Sequence, residues 1–270
     1  QCADKGGIIF NNEKLTLENV KFEDGYARLG GAIYNVGFSE DGAAVASRLY
    51  IRTTIFQNNK AVDGGAIYSE APAYEIYTSL FKNNESTSGR AIVYNQNGLA
   101  DISKLVFSNP QNIIANSTFF KNKGFAVNLR DGLALNNITV LKNSGGIELN
   151  STSEHAYLAN SVVIGNALSG TAQDCKVVNS GTDQSVFYNN LVAASCPVGP
   201  AANLNDVWSG TSLIAGEDEG SCKTLTEDRN ALFCPFTTAN NAFIGYLRPR
   251  ILLDYETIFS SPILNKGKTT

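Results

Sequence analysis

The residues best suited to chemistry lie in the first third of the chain, where Arg52, Lys60 and Asp63 fall close together and are followed by Glu70 and Glu75. A basic side chain beside carboxylates is the set that a polysaccharide lyase or a glycoside hydrolase uses, sometimes with calcium. The residues form no recognisable catalytic string, and scattered charges are typical of a solvated face. Catalysis by Arg52, Lys60 and Asp63 is therefore the second hypothesis, with calcium the only cofactor considered. No other metal is predicted, because the chain has one histidine.

Tyrosines are concentrated in the same part of the chain. Tyrosine rings supply contact area at a low entropy cost, and nearby polar groups can orient the hydroxyls of a ligand. The sequence therefore predicts a ligand-binding face for a glycan or a host-surface protein. The alternative is that some of these rings pack in the interior. The residues assigned to this face are Tyr34, Tyr68, Glu70, Tyr74, Tyr77 and Tyr94.

The overall composition limits the class of protein. The chain has 270 residues, of which 43% are hydrophobic and 17% charged, and its formal net charge is -4. Such a chain can bury a large core, and the absence of a basic block argues against nucleic acid as the main partner. No apolar run is long enough for a membrane-spanning helix. The chain contains no Met, so we expect a processed product that is part of a longer polypeptide.

A short unit repeats along the chain: two apolar residues, any residue and then Asn. It ends at Asn58, Asn83, Asn122, Asn143 and Asn166, with spacings of 25, 39, 21 and 23 residues. A recurring Asn of this kind predicts a stack at one bend, where each amide bonds to the Asn of the neighbouring repeats. We assign these five residues a structural role.

A second unit, Gly-Gly-Ala-Ile-Tyr, occurs at residues 30–34 and 64–68 and weakens in later copies. The first glycine follows the Asn by six residues in two copies, from 58 to 64 and from 83 to 89. The offset shortens to two residues in later copies, from 122 to 124 and from 143 to 145. Short alternating segments lie between these units, which predicts strands that are separated by bends.

These repeats predict a solenoid. One coil with about three short strands buries little by itself, whereas stacked coils bury a continuous column of side chains. The fold class is therefore all-β, a right-handed parallel β-helix. We expect the coils to fill residues 1–169, and residues 170–270 to form the final coils and an irregular disulfide-containing cap of the same domain. A cap is needed because an open end exposes strand edges.

The cysteines fall into two sequential pairs. Cys175 and Cys196 are 21 residues apart, and Cys222 and Cys234 are 12 apart, which leaves Cys2 over. We expect the disulfides 175–196 and 222–234, and hence an oxidising compartment outside the cytoplasm. The alternative is that all five thiols are reduced and buried.

The repeat units resemble those of polymorphic outer-membrane proteins and related autotransporter passengers. The resemblance rests on Gly-Gly-Ala-Ile at residues 30–33 and 64–67, and on the Phe-x-x-Asn spacing at residues 56–59 and 81–84. It covers residues 6 to about 166. It implies a parallel β-helix and a location at the bacterial surface.

The last third of the chain resembles the terminal coils of large secreted β-helix proteins of the CSLREP type. The matching segments are Asp174-Cys175, residues 188–192 and Ser195-Cys196. Residues 261–267 are similar to the Ser-Pro-Ala-Ile-Asp-x-Gly ending of those proteins, with departures at Leu264 and Asn265. Those families include adhesins. The leading hypothesis is thus a non-catalytic, extracellular or cell-surface adhesin-like module, and a structural spacer is the third.

Overall fold

The computed structural model describes residues 3–40, 43–46, 48–70, 74–96, 112–130, 132–150, 156–178, 186–188, 190–192 and 196, and the strand segments 203–204, 207–208, 233–235 and 247–249. These residues form strands, turns and bends, and no helix occurs among them. In chain order the strands are β1 (Ala3–Lys5), β2 (Ile9–Asn11), β3 (Leu15–Glu18), β4 (Lys21–Glu23), β5 (Ala27–Leu29), β6 (Ile33–Asn35), β7 (Gly37–Glu40), β8 (Ala43–Ala46), β9 (Leu49–Arg52), β10 (Ile55–Gln57), β11 (Lys60–Ala61), β12 (Ile67–Ser69), β13 (Tyr74–Tyr77), β14 (Leu80–Lys82), β15 (Glu85–Ser86), β16 (Ala91–Asn95), β17 (Ile113–Ala115), β18 (Thr118–Phe120), β19 (Phe125–Leu129), β20 (Ala134–Asn136), β21 (Thr139–Leu141), β22 (Gly145–Leu149), β23 (Tyr157–Ala159), β24 (Val162–Ile164), β25 (Ala167–Leu168), β26 (Thr171–Ala172), β27 (Cys175–Val177), β28 (Val186–Tyr188), β29 (Leu191–Val192), β30 (Asn203–Leu204), β31 (Val207–Trp208), β32 (Phe233–Pro235) and β33 (Leu247–Pro249).

Three long sheets run along the molecule, and all their strand pairs are parallel. Sheet A has the order β3-β9-β13-β17-β20-β23-β28-β30, and sheet B has the order β4-β10-β14-β18-β21-β24-β29-β31. Sheet C has the order β2-β6-β12-β16-β19-β22-β27. The chain visits sheets A, B and C in turn, so the predicted parallel β-helix is confirmed. We number the coils from residues 15–35 (coil 1), through 49–69, 74–95, 113–129 and 134–149, to 157–177 (coil 6).

The interior of the column is apolar and stacked in register. Phe22, Phe56, Phe81 and Phe119 occupy one position in successive coils, with ring centroids 5.1, 4.7 and 4.5 Å apart. They are almost fully buried, as are most of the described isoleucines and leucines of sheets A and C. Stacked aromatic pairs contribute about 0.5–1.5 kcal/mol each beyond the burial of their area. A coil is therefore stabilised by its neighbours rather than by its own contacts.

Each coil turns from sheet A to sheet B through one residue with positive φ. This residue is Thr53, Thr78 or Asn116 in coils 2 to 4, with φ between 50° and 51°. The next residue points a hydroxyl at the coil before it: Ser79 Oγ accepts from Thr54 N at 3.3 Å, and Ser117 Oγ accepts from Ser79 N at 3.1 Å. The predicted order of strand, bend and strand is thus what the chain forms here.

The second bend, between sheets B and C, carries the Asn ladder. The amide of each ladder residue donates to the carbonyl oxygen of the next one at 2.8 to 3.1 Å and also donates to a backbone carbonyl. The ladder ends where Asn166 Nδ2 donates to Asp174 Oδ1 at 2.7 Å. The Asn residues of the ladder are Asn59, Asn84, Asn122, Asn143 and Asn166.

The predicted ladder is correct at Asn122, Asn143 and Asn166 and one residue out at Asn58 and Asn83. Asn58 and Asn83 instead occupy the left-handed position just before the ladder, with φ values of 57° and 55°. Lys121 takes that position in coil 4, with φ of 54°. Phe56 pairs with Phe81 and Phe81 with Phe119, so the residue three places after each Phe faces the interior of the bend.

The step into sheet C needs glycine because coils approach closely there. Gly64 has φ of +65°, and a Cβ on Gly65 would lie 2.6 Å from the carbonyl oxygen of Glu85 in the next coil. A side chain at position 65 would force the two backbones apart, and one at position 64 would lie 2.5 Å from the carbonyl oxygen of Ile67 in its own coil. The Gly-Gly unit that the sequence repeats is thus a point of contact between coils.

The predicted 175–196 disulfide is confirmed, with Cα atoms 4.7 Å apart and both cysteines buried. It joins Cys175, at the start of β27 in coil 6, to Cys196, which lies four residues after the end of β29 in sheet B. Sheets A and B continue beyond it to β30 and β31. Cys2 and Cys222 lie outside the described residues, as does most of the expected cap. The pairing of Cys222 with Cys234 and the boundary at residue 170 therefore stay predictions.

Candidate binding site

The corner between sheets B and C changes its outline along the column. In coils 1 to 3 the chain forms the extra strands β5, β11 and β15 there, and β11 pairs with β15. In coils 4 and 5 the ladder residues Asn122 and Asn143 are followed almost at once by sheet C, which starts at Phe125 and Gly145. In coil 6 the antiparallel hairpin β25–β26 fills the corner again. Coils 3 and 6 therefore project, and the two coils between them do not.

A hollow of about 220 Å³ lies at this corner, between the two projecting coils. Coils stack about 4.8 Å apart, so the backbones of coils 3 and 6 are about 14 Å apart. That separation leaves room for a ligand one or two rings thick. We call this hollow the corner recess. Its lining residues include Glu85, Thr87, Lys123, Phe125, Ser144 and Leu168.

Charged groups line the upper half of the recess, which is the side that faces coil 3. Glu85 accepts from Lys60 Nζ at 2.7 Å and from Lys123 Nζ at 3.4 Å. The Lys60 ammonium, with a smaller contribution from Lys123, holds the pKa of Glu85 below its usual value, so the carboxylate stays ionised at neutral pH. The side chain of Lys123 is 75% exposed. The recess therefore contains an anchored carboxylate and a solvated ammonium.

The remaining walls combine hydroxyls with apolar surface. Thr87 contributes a hydroxyl from coil 3, and Ser144 contributes one from coil 5. Leu168, on the hairpin of coil 6, is 48% exposed. The ring of Phe125 lies against Gly145, where a Cβ would come within 2.5 Å of the ring. Gly145 is thus needed for Phe125 to form this wall.

Hydrogen bonds hold the projecting loop of coil 3 in place. Asp63 accepts from Ser88 Oγ at 2.5 Å and lies 3.9 Å from Arg90 Nε. Arg90 also donates to the hydroxyl of Tyr94 at 2.8 Å. Gly89, with φ of +75°, faces open space at the rim. The upper rim is therefore braced by side chains from coils 2 and 3.

The tyrosines predicted to bind a ligand do not share one face. Tyr34, Tyr68 and Tyr94 stack on the outside of sheet C, with ring centroids 5.4 and 5.3 Å apart. The Tyr34 hydroxyl donates to Glu70, and the Tyr68 hydroxyl donates to Gln96. These rings are at most 7% exposed. The three rings therefore pack against one another in a row, which we call the tyrosine row.

Tyr74 and Tyr77 lie elsewhere. Tyr74 is fully buried in the column, and its hydroxyl accepts from Asn95 at 2.6 Å, so a binding role for Tyr74 is wrong. Its position at the start of β13 points it inward, and burial raises the pKa of its hydroxyl. Tyr77 lies half-buried on the outside of sheet A beside Tyr50. Burial raises the pKa of Tyr77 to about 12.

The residues considered for catalysis are not brought together. Arg52 lies at the end of sheet A, with its guanidinium 5.6 Å from the ring centre of Tyr50. Lys60 and Asp63 lie beyond the second bend, and strand β10 separates them from Arg52. Each has its own partner, Glu85 for Lys60 and Ser88 for Asp63. The three side chains thus face different surroundings.

Two features are absent from the residues that the structure describes. No group of three or more His, Cys, Asp or Glu side chains there could hold a metal ion. No helix long and apolar enough to cross a membrane occurs in that part of the chain.

The fold defines the class of protein, a parallel β-helix, and one coil has a family match. Residues 53–70 match the Chlamydia polymorphic membrane protein repeat. This segment runs from the first bend of coil 2 through Asn59 and Gly64-Gly65, so the resemblance seen in the sequence is confirmed for this coil. The match supports a location at the cell surface in general. Comparison with curated proteins and with solved structures gives no match.

The sequence reasoning missed the residues of the recess, although a signal for them was present. The spacing from the repeated Asn to the next glycine falls from six residues to two after coil 3. A shorter connection in a stacked coil must leave a hollow below the longer one. That spacing change, rather than any residue type, marks Thr87, Lys123 and Ser144 as wall residues.

Proposed function

We propose that this chain is an extracellular or cell-surface β-helix module of the adhesin type that binds a glycan in the corner recess without cleaving it. The observation that carries the proposal is the recess itself. It combines hydroxyls, one solvated ammonium and apolar surface in a volume of about 220 Å³. A sugar is complementary to these walls, because a pyranose has polar hydroxyls around its edge and apolar C–H faces.

The setting of the recess also favours binding. Its walls belong to stacked coils whose backbones are hydrogen-bonded to one another, and walls held in this way lose little entropy when a ligand enters. The tyrosine row contributes indirectly, since Tyr94 fixes Arg90 at the rim through the 2.8 Å hydrogen bond. The match of residues 53–70 supports display at the cell surface.

A binding role fits the charged residues better than catalysis does. A lyase or hydrolase needs its acid and base on either side of one bond. Here Lys60 neutralises Glu85 at 2.7 Å, and Arg52 lies on another face. The lone carboxylate of the recess has no second carboxylate facing it among the described residues. These charged residues are therefore better suited to binding a ligand than to cleaving one.

A glycan array, read together with assays for new reducing ends and unsaturated products, tests the proposal. The wild type should bind one class of glycan and release no product. Ser144→Trp, which fills the recess, should abolish that binding and leave the melting temperature nearly unchanged. Thr16→Trp is the matched control, because Thr16 is exposed on the outside of sheet A, and it should bind like the wild type.

Other outcomes would overturn the proposal. Release of unsaturated or reducing products would make the chain an enzyme and would direct mutagenesis to Arg52, Lys60 and Asp63. Absence of binding to glycans and to host-cell surfaces would leave a structural spacer. Full binding by Ser144→Trp would place the ligand on another surface.

A further inference from the structure

The described charges around the corner recess include one more ammonium than carboxylate, and this excess favours a ligand with a negative charge. Two ammonium groups, Lys60 and Lys123, face the single carboxylate of Glu85. The Lys60 contact is the closer one, at 2.7 Å against 3.4 Å, so Glu85 is neutralised mainly by Lys60. Lys123 is then the surplus cation, and 75% of its side chain is exposed.

Neighbouring charges leave this surplus in place. Arg90, at the upper rim, lies 3.9 Å from Asp63. Lys176, whose ammonium is 5.3 Å from the ring centre of Phe125, pairs with Glu148 at 3.4 Å. Each of these pairs is neutral as a whole. Among the described residues around the recess, one positive charge is therefore left over, and we assign it to Lys123 because the closer Lys60 neutralises the shared Glu85.

We propose that the corner recess takes a sugar residue that bears one carboxylate, as in an acidic glycan, with the carboxylate on the Lys123 ammonium. This inference rests on the proposed function and names its ligand class. An ammonium that already has one partner at 3.4 Å still has protons to donate, and a charge-assisted hydrogen bond is about twice as strong as a neutral one. The hydroxyls of Thr87 and Ser144 reach the ring hydroxyls, and Leu168 faces the C–H surface.

The same groups disfavour other ligands. A divalent cation would meet two ammonium groups and one carboxylate that is already neutralised. A polysulfated chain requires a track of several unpaired cations, whereas the other cations described near the recess, Lys60, Arg90 and Lys176, are each paired with a carboxylate. One ammonium beside hydroxyls matches a single carboxylate.

The test compares neutral, carboxylated and sulfated oligosaccharides of equal length on one array. We expect the wild type to bind the carboxylated set and to lose affinity as salt is raised, since the contact is solvated. Lys123→Ala should weaken that binding at least about tenfold, and Lys123→Arg should restore most of it. Lys21→Ala is the matched control, because Lys21 is also an exposed lysine beside a glutamate, Glu23 at 2.7 Å.

The results separate this inference from the proposed function. Equal binding of neutral or sulfated sugars, with Lys123→Ala unchanged, would overturn the inference while the recess remained a glycan site. Absence of any glycan binding would overturn the proposed function itself. A fall in the melting temperature of Lys123→Ala, reversed by Lys123→Arg without a change in binding, would assign Lys123 to stability and refute the inference.

Discussion

Coils 3 and 4 are neighbours that share one interior and have different outlines. Inside, Phe81 and Phe119 stack at 4.5 Å, and Asn84 bonds to Asn122 at 3.1 Å. Outside, coil 3 reaches sheet C through β15 and a projecting loop, whereas coil 4 turns into sheet C directly. Stacking constrains every residue that touches the coils above and below. A connection that touches the column only at its ends can change length, so surfaces for recognition arise there.

The largest effect should come from breaking the shared interior. The Asn122 side chain accepts from Asn84 N at 2.8 Å and donates to Phe81 O at 2.9 Å. Asn122→Ala leaves both backbone groups buried without a partner, and each such loss costs about 1–3 kcal/mol. We expect the free energy of unfolding to fall by about 3–5 kcal/mol in urea titrations.

Two other asparagines serve as controls for that change. Asn58 is exposed in the left-handed position, so Asn58→Gly should alter stability by less than about 0.5 kcal/mol. Asn128 is buried in coil 4, but its amide has no hydrogen-bond partner, so Asn128→Val should be close to neutral. If Asn58→Gly lowered the free energy of unfolding as much as Asn122→Ala does, the ladder would have the register predicted from the sequence.

The next largest loss of stability should come from coil 6, which bounds the recess on the side opposite coil 3 and contains Cys175 of the disulfide. Cys175 and Cys196 close a loop with a sequence separation of 21. Loop-closure entropy gives such a bridge about 3 kcal/mol. We expect the Cys175→Ser, Cys196→Ser double variant to lose hydrogen-exchange protection first in coil 6. Uniform loss of protection along all coils would contradict this local role.

A smaller effect is expected when the outline of coil 4 is made like that of coil 3. Insertion of Ser-Thr-Ser-Gly between Lys123 and Gly124 lengthens the connection between two residues whose backbones are hydrogen-bonded to coils 3 and 5. Longer loops cost little entropy, about 0.6 kcal/mol per doubling of length. We expect a fall of about 1 kcal/mol or less in unfolding free energy, together with loss of glycan binding. Unfolding of the insertion variant would show that the connection is part of the packed column.

The smallest effect should come from the end of the ladder, where Asp174 replaces Asn. Burial raises the pKa of Asp174, so the folded state holds its proton more tightly than the unfolded state does. This group therefore lowers stability as the pH rises from the usual pKa of an aspartate through its folded pKa, and the loss is complete above that pKa. Asp174→Asn should raise the melting temperature slightly at neutral pH and remove this pH dependence. An unchanged pH profile would contradict the assignment.

The fold could be predicted from the sequence because its determinants repeat. Asn122, Asn143 and Asn166 and the 175–196 disulfide followed from spacing alone. The register at Asn58 and Asn83 did not, because each has an Asn after it, and Phe119-Phe120 offers two apolar residues for one inward position. The Phe-x-x-Asn spacing carries the observed register. Tyr74 could not be told from Tyr77 without the strand direction, and the recess depends on loops three coils apart.

The most direct test of the account is a crystal structure of the chain with the tightest-binding acidic oligosaccharide. We expect one sugar ring between Thr87 and Ser144, with its carboxylate about 3 Å from Lys123 Nζ and its C–H face on Leu168. Electron density for the sugar on the outside of sheet A, beside Tyr50 and Tyr77, or across the tyrosine row of sheet C, would contradict the claim that the corner recess is the binding site.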